Sequence, residues 1–372
     1  MTPFQNITRT VGRLTKVSDL LDVADLRNVL TGVMDSLSTE NLYAPSRQIL
    51  DSLGVDEMTK NYLLYSFASD ADGDKSKKEN NDYRKSQSLR NLKELYDEKG
   101  KLEQMREEVE HSGLLWQINS VEFTVFDKHP EEMNRLIVMM YDGLGLLEEF
   151  DIPMESLMHF SRSVMAQYVD NPYHNFKHAF DVAQMCYFYV TKSKAGKFLT
   201  KTDMLALITS ALCHDLSHPG TTNSFQINAE TELALVYNDT SVLENFHCSK
   251  AFGLLKQEKN NILANLTLTE FKEVRKMMIA AILSTDMTVH FELSSKFSTH
   301  VDAKASENNK DMFSKDIKDR QLLVNILLHS ADISNMVRPY AISRQWSDRV
   351  FEEFLKQVTA PLSPEIPIYL LG

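Results

Sequence analysis

Glycine and proline are scarce, 12 and 10 among 372 residues, or about 3% each, against roughly 7% and 5% in an average chain. So few turn-formers disfavour a protein of many short strands and tight hairpins, and the abundance of Leu, Met, Glu and Lys points to helices. Cysteine is nearly absent. Cys186, Cys213 and Cys248 lie far apart with no CxxC pair, which excludes a disulfide framework and a thiolate metal site and fits buried free thiols in a reducing compartment. Positive charge is in deficit: 40 Lys and Arg against 52 Asp and Glu give −12. A surface that wraps a nucleic acid polymer is therefore not expected. A phosphate substrate is still open, because bound divalent ions supply local positive charge inside an acidic protein. No stretch approaches 18 uninterrupted apolar residues, so no membrane span is expected. Met1 to Asn6 lack a basic region leading into an apolar run, so no signal peptide is expected. These absences together predict a cytoplasmic protein.

At this length the chain can hold two or three units. Residues 1–68 carry short amphipathic patterns, among them Leu20, Leu21, Val23, Leu26, Val29 and Leu30, and read as an N-terminal helical extension. Residues 69–87 are almost wholly polar or charged and read as a linker. Asp70, Asp72, Gly73 and Asp74 imitate the start of a calcium loop, but Lys75 and Asn81 occupy the positions that need glycine and glutamate. Residues 88–112 place Leu89, Leu92, Leu95, Leu102 and Met105 at helical spacing. That is an amphipathic connector helix, suited also to a homodimer seam. From 113 to 372 strong helical patterns follow one another, with no internal repeat.

Four segments of that region put ionisable groups where apolar helices should want none. His174 and His178 are four apart at the head of the apolar stretch Ala183–Val190, so a helix presents both imidazoles on one side. The run Met204–Cys213 is apolar nearly all round, as a core helix is, yet it delivers His214, Asp215 and His218 before Pro219 and Gly220 end it. An ionised Asp there is costly unless it meets a cation or several donors. Leu322–Leu328 likewise runs into His329 and Asp332, and Ser241 with Glu244 has the spacing of a capping box. Any one such residue is ordinarily a satisfied core group. Together, His178, His214, Asp215 and Asp332 form a nitrogen-and-oxygen ligand set without thiolate, suited to zinc, manganese or iron, with Asp215 able to reach a second, harder ion such as magnesium. Ligands scattered over separate helices fit a bundle with the metal site in its core.

The adjacent His214-Asp215 pair, with a His upstream and an Asp downstream, is the pattern of HD metal phosphohydrolases. More closely, the chain resembles the catalytic domain of class I 3′,5′-cyclic nucleotide phosphodiesterases over roughly residues 115–356. The resemblance rests on Tyr173-His174-Asn175 through Asp181-Val182, His214-Asp215 to Asn223, and Glu232 through Glu244-Asn245. It continues in Ser284-Thr285-Asp286-Met287 with His290, Ser330 to Asn335, and Arg344-Gln345-Trp346 through Glu352-Glu353-Phe354. It implies an all-α multi-helix bundle with a binuclear metal site between helices. It also implies hydrolysis of a 3′,5′-cyclic nucleotide to the 5′-monophosphate by a metal-bridging hydroxide.

By position, His178, His214, Asp215 and Asp332 correspond to the metal ligands, for zinc with magnesium, or for manganese. His174 corresponds to the general acid, with Glu244 as its orienting partner. His218, Thr285 and Asp181 correspond to groups supporting the metal waters and their neighbours. Tyr173, Asn223, Asp286, Met287, Asn335 and Val350 correspond to the pocket lining. His247 and His290 match the pattern without an assigned role, and His329 is structural. Asn335 leans towards cyclic AMP. After Gln357 the sequence departs, with Pro361, Pro364 and Pro367 barring a continuing helix. The expectation is that the C-terminal part of the domain, with its purine-binding residues, is missing. The alternative is then a catalytically impaired regulatory or dimerising isoform. A nucleotidase of the HD type is disfavoured by Tyr173-His174-Asn175 and Thr285-Asp286-Met287.

Overall fold

Apolar residues at three- and four-residue spacing become helices throughout a computed structural model that describes residues 92–193, 195–306, 313 and 316–359, all within one compact unit of residues 83–372. The chain opens with α1 (Leu92–His111), α2 (Leu114–Gln117), α3 (Pro130–Gly143), α4 (Leu146–Glu149) and α5 (Met154–Gln167). It continues through α6 (Phe176–Thr191), α7 (Lys201–Cys213), α8 (Asn223–Asn228), α9 (Glu232–Tyr237) and α10 (Val242–Leu255). It closes with α11 (Leu268–Leu283), α12 (His290–Ser306), α13 (Ile317–Asp332) and α14 (Tyr340–Thr359). No strand occurs among the described residues, so the all-α bundle is as read from the sequence. The extension 1–68, the linker 69–87 and the tail beyond Thr359 lie outside the described residues.

Helix α7 is the axis. Every residue from Asp203 to Cys213 is buried, as its all-round apolarity requires. It starts at a capping box in which the Asp203 backbone N–H donates to Thr200 Oγ1 (3.2 Å) and the Thr200 N–H to Asp203 Oδ2 (2.8 Å). Asp203 also receives Arg320 Nε of α13 at 2.7 Å, which neutralises a buried carboxylate. Around α7 pack α6, α11 and α13, and these four helices deliver their ionisable ends to one side of the bundle. On α1, Leu102 and Met105 pack against the core beside buried Val109. Leu102 and Met105, two of the five residues read as a helical stripe, therefore cover this chain's own domain.

A second fixed point is the ion pair of Arg338 with Asp181 on α6. Both side chains are nearly inaccessible and meet at 2.8 Å. The Arg338 guanidinium also donates to Gln184 Oε1 (2.7 Å) and to the carbonyl of Val121 (2.9 Å). Asp181 thus anchors the chain after α13 rather than touching the histidines. Burial raises its carboxyl above the ordinary value although Arg338 opposes this. Breaking such a pair leaves a buried charge uncompensated. Arg338→Met should therefore lower unfolding stability in urea by about 3–5 kcal/mol, and Asp181→Asn placed on top should restore part of the loss. A loss within about 0.5 kcal/mol, the scale of an ordinary surface change, would show that the pair does not hold this joint.

Candidate metal centre

Four side chains from three helix ends converge. His178 lies in the first turn of α6, whose N-terminus is capped by Asn175 Oδ1 accepting from the N–H groups of Lys177 (2.9 Å) and His178 (3.3 Å). His214 and Asp215 follow the last turn of α7, and Asp332 ends α13. Their ligand atoms lie within 4.8 Å of one another. His178 Nε2 is 3.0 Å from Asp332 Oδ1, 3.4 Å from Asp215 Oδ2 and 3.3 Å from His214 Nε2. His214 Nε2 is 3.1 Å from Asp215 Oδ2 and 3.3 Å from Asp332 Oδ1.

These separations fit a cation. An ion about 2.1 Å from each donor holds them about 3.4 Å apart at tetrahedral corners, or about 3.0 Å apart at adjacent octahedral corners. The His214 tautomer fits as well. His214 Nδ1 is 2.9 Å from the Ala211 carbonyl, which can only accept, so that nitrogen carries the proton and Nε2 turns a lone pair inward. The residues present therefore suit a divalent ion.

Without one, the site binds protons. Burial opposes charge on both imidazoles, yet Asp215 and Asp332 outweigh it, so His178 is raised and His214 raised well above the ordinary histidine value. Burial likewise opposes charge on the carboxylates. Facing His214 and His178, Asp332 is nevertheless lowered and Asp215 lowered well below the ordinary value.

Beside the cluster, His174 stacks on His218, with ring centroids 3.9 Å apart and planes 16° from parallel. His218 is buried, with Nδ1 accepting the Gly220 N–H at 3.0 Å, and burial with the neighbouring His174 lowers it well below the ordinary value. The turn needs Gly220. Its φ is +79° and an added Cβ would come within 2.8 Å of Asn171 Oδ1. Asn171 in turn donates to the carbonyls of His174 (3.1 Å) and His218 (2.8 Å), joining the two loops.

The structure revises several assignments. The partner of His174 is Glu353 on α14, not Glu244: the Glu353 carboxylate holds His174 Nδ1 and accepts the backbone N–H groups of Tyr173 (2.9 Å) and His174 (3.0 Å). Burial raises Glu353, but these bonds bring it below the ordinary value. Glu244 instead accepts both hydrogen-bond contacts from the Asn223 amide, at 2.9 and 3.2 Å, and burial lifts it to about 7. Asn223 Oδ1 accepts the Leu243 N–H (2.9 Å), so its amide is spent on the start of α10. The expected Ser241–Glu244 capping box does not form. Ser241 sits in the left-handed region, and its hydroxyl donates to Asp286 Oδ2 at 2.7 Å.

Among the remaining expected residues, Tyr173 and Asn335 are buried and bonded, the Asn335 amide donating to the tyrosine hydroxyl. Thr285 is buried with its hydroxyl on the Ile282 carbonyl (2.7 Å). Val350 packs at the core's edge, and Met287 is 58% exposed, so packing does not explain it. His247 is closer to the cluster than the sequence indicated: its Nδ1–H donates to Leu216, and Nε2 lies 3.8 Å from Asp215 Oδ1. The signal for Glu353 was the buried stripe of α14. Ile342, Trp346 and Val350 continue at helical spacing into Glu353 and Gln357, both buried.

Comparison with known proteins adds the following. The family profile described as "3'5'-cyclic nucleotide phosphodiesterase" matches residues 173–370, just over half of the chain and extending through the proline-containing tail. "3',5'-cyclic-nucleotide phosphodiesterase regA" of Dictyostelium discoideum is 36% identical over 95% of this chain and 41% of its own length. The human "High affinity cGMP-specific 3',5'-cyclic phosphodiesterase 9A" is 40% identical over 66% of this chain and 40% of its own length. The chain thus spans about two fifths of the length of these relatives. Among solved structures, the phosphodiesterase domain of the RhoPDE fusion protein from the choanoflagellate Salpingoeca rosetta superposes with a TM-score of 0.62. It is 35% identical over 68% of this chain and 80% of that one.

The opposed shifts give the metal-free protein a defined pH response. The raised histidines contribute stability that is complete below their ordinary value, about 6.5, and lost as pH rises through the raised values. The lowered carboxylates contribute above about 4, and that is lost in acid. With EDTA, the melting temperature should therefore fall as pH climbs above about 6.5. With zinc it should hold or rise, because an ion replaces the protons. Parallel curves with and without zinc in a pH-series melting experiment would show that no ion binds at this cluster.

Proposed function

The chain belongs to the 3′,5′-cyclic nucleotide phosphodiesterase family, and from that premise we propose that it hydrolyses a 3′,5′-cyclic nucleotide to the 5′-monophosphate at the His178–His214–Asp215–Asp332 cluster. The observation that carries this reading is the pairing of convergent ligand atoms with His174, a histidine held by a buried carboxylate beside them. Zinc with magnesium, or manganese, bound at the cluster would screen the phosphate and acidify a water.

The protein's own groups supply the rest. Glu353 fixes the His174 ring through Nδ1 and two backbone N–H groups, so the other ring nitrogen is the one that hands a proton to the departing 3′ oxygen. The carboxylate stabilises the imidazolium, as a buried acceptor does for a catalytic histidine. Glu244, His218 and Thr285 support the waters of the centre, and His247 joins them beside Asp215. Tyr173 and Asn335 present a bonded pair to the base, with Asn223, Asp286, Met287 and Val350 around them.

Asn335 inclines the reading to cyclic AMP, whereas relatives named cGMP-specific pull the other way. The proposal is accordingly made for cyclic nucleotides as a class. A second reading, a metal-binding regulatory chain without turnover, is favoured by the exposed apolar side chains Phe351, Phe354 and Leu355 on α14, which suit association with another surface.

Purified protein supplied with zinc and magnesium should hydrolyse cyclic AMP or cyclic GMP. His174→Ala should cut kcat by about 10²–10⁴ with metal content unchanged, while Asp332→Asn should lose the metal. Glu353→Gln, which leaves the ring without a countercharge, should reduce kcat less than His174→Ala does. Folded, metal-loaded protein with no turnover of either nucleotide would favour the regulatory reading, and full activity in His174→Ala would remove that residue as the acid.

A further inference from the structure

Two polar residues, Glu353 and Gln357, occupy consecutive turns on the buried face of α14. Four residues apart, they point the same way. Glu353 accepts N–H groups from the loop before α6, and Gln357 does the same for the other loop of the site: its Oε1 accepts the Thr222 backbone N–H at 2.8 Å. Gln357 is 6% exposed, so this acceptor lies out of water, where a donor left unmatched has no easy substitute.

Thr222 stands at a junction. Its hydroxyl caps α8 by accepting the Phe225 N–H (3.2 Å), and the next residue, Asn223, grips Glu244 and the Leu243 N–H. Upstream, the same loop carries His218 and Gly220. We infer that Gln357 is a positioning residue: α14 is a clasp whose Glu353 sets the loop of His174 and whose Gln357 sets the 218–223 loop, fixing His218 and Glu244 relative to the acid. Its catalytic consequence rests on the phosphodiesterase reading. The clasp itself is a property of the fold and is testable without turnover.

The test compares the full chain with Gln357→Met, which keeps the bulk and removes the acceptor, and Gln357→Glu, which keeps an acceptor oxygen. Backbone amide exchange, followed by mass spectrometry on peptides covering 217–226, should quicken at least tenfold in Gln357→Met and stay near wild type in Gln357→Glu. For cyclic nucleotide hydrolysis, kcat should fall about tenfold in Gln357→Met with KM within twofold, and Gln357→Glu should recover most of it. Unchanged exchange in Gln357→Met overturns the clasp, whether or not the protein turns over. Quickened exchange with an unaltered kcat overturns the positioning role. If the wild-type chain has no turnover, the phosphodiesterase reading fails, and the exchange contrast between the Met and Glu variants still decides the clasp.

Discussion

Everything in the described unit answers to one constraint: four basic or anionic donor atoms are held within 4.8 Å of one another, each histidine nitrogen 3.0–3.4 Å from the other three, in a largely dry place. Such atoms repel unless positive charge sits among them. In water they would separate, and here they cannot, because each is mounted at the end of a helix whose shaft is packed. The cost of crowding is carried by the apolar contacts of α6, α7, α11 and α13. The burial of α7 along nearly its whole length keeps His214 and Asp215 from retreating. Protons or a divalent ion can then relieve the repulsion, and the competition between the two ties metal binding to pH.

The second layer follows from the first. Loops at helix ends are where reactive groups can be exposed, but they are also the softest parts of a helical protein. This chain stiffens them with polar side chains that reach across. Asn171 joins the His174 and His218 loops through two carbonyls. Asn223 ties α8 to the start of α10, and Asp286 holds Ser241 in a left-handed conformation. Each bond satisfies a group that folding took from water, so the same contacts that remove orphan donors also set the site.

The convergent cluster was legible in the sequence because it violates a strong rule. Ionisable residues punctuating apolar helices need an explanation, and His178, His214, Asp215 and Asp332 share one. The helices were legible from spacing alone. What was not legible is pairing across long separations. Glu353 lies 179 residues from His174; the buried stripe of α14 marks it apart from exposed Glu352, but nothing in that stripe says which group it meets. The family resemblance pointed to Glu244 instead, and the structure gives that carboxylate to Asn223. The Ser241 capping box failed for a related reason. Spacing describes what a helix start can do, whereas the Asp286 carboxylate, from another helix end, decides what Ser241 does. Asp181 looked like support for neighbouring groups of the site, and only the fold shows Arg338 taking it.

The long-range origin of Glu353 has a consequence for assembly. His178, His214 and Asp215 fall within about forty positions of one another, yet the histidine beside them acquires its carboxylate only when α14 docks. Trp346, fully buried and 5.6 Å from the Tyr173 ring and 5.9 Å from that of His178, fixes that docking by apolar contact. The polar bonds of α14 then select its register, because a shift of one residue would turn Glu353 by about 100° and away from His174. Hydrophobic burial thus supplies the attachment and hydrogen bonding the alignment. The orientation of His174 is tied to the completeness of the core: a loosened α14 would leave the four convergent side chains in place and the His174 ring unoriented.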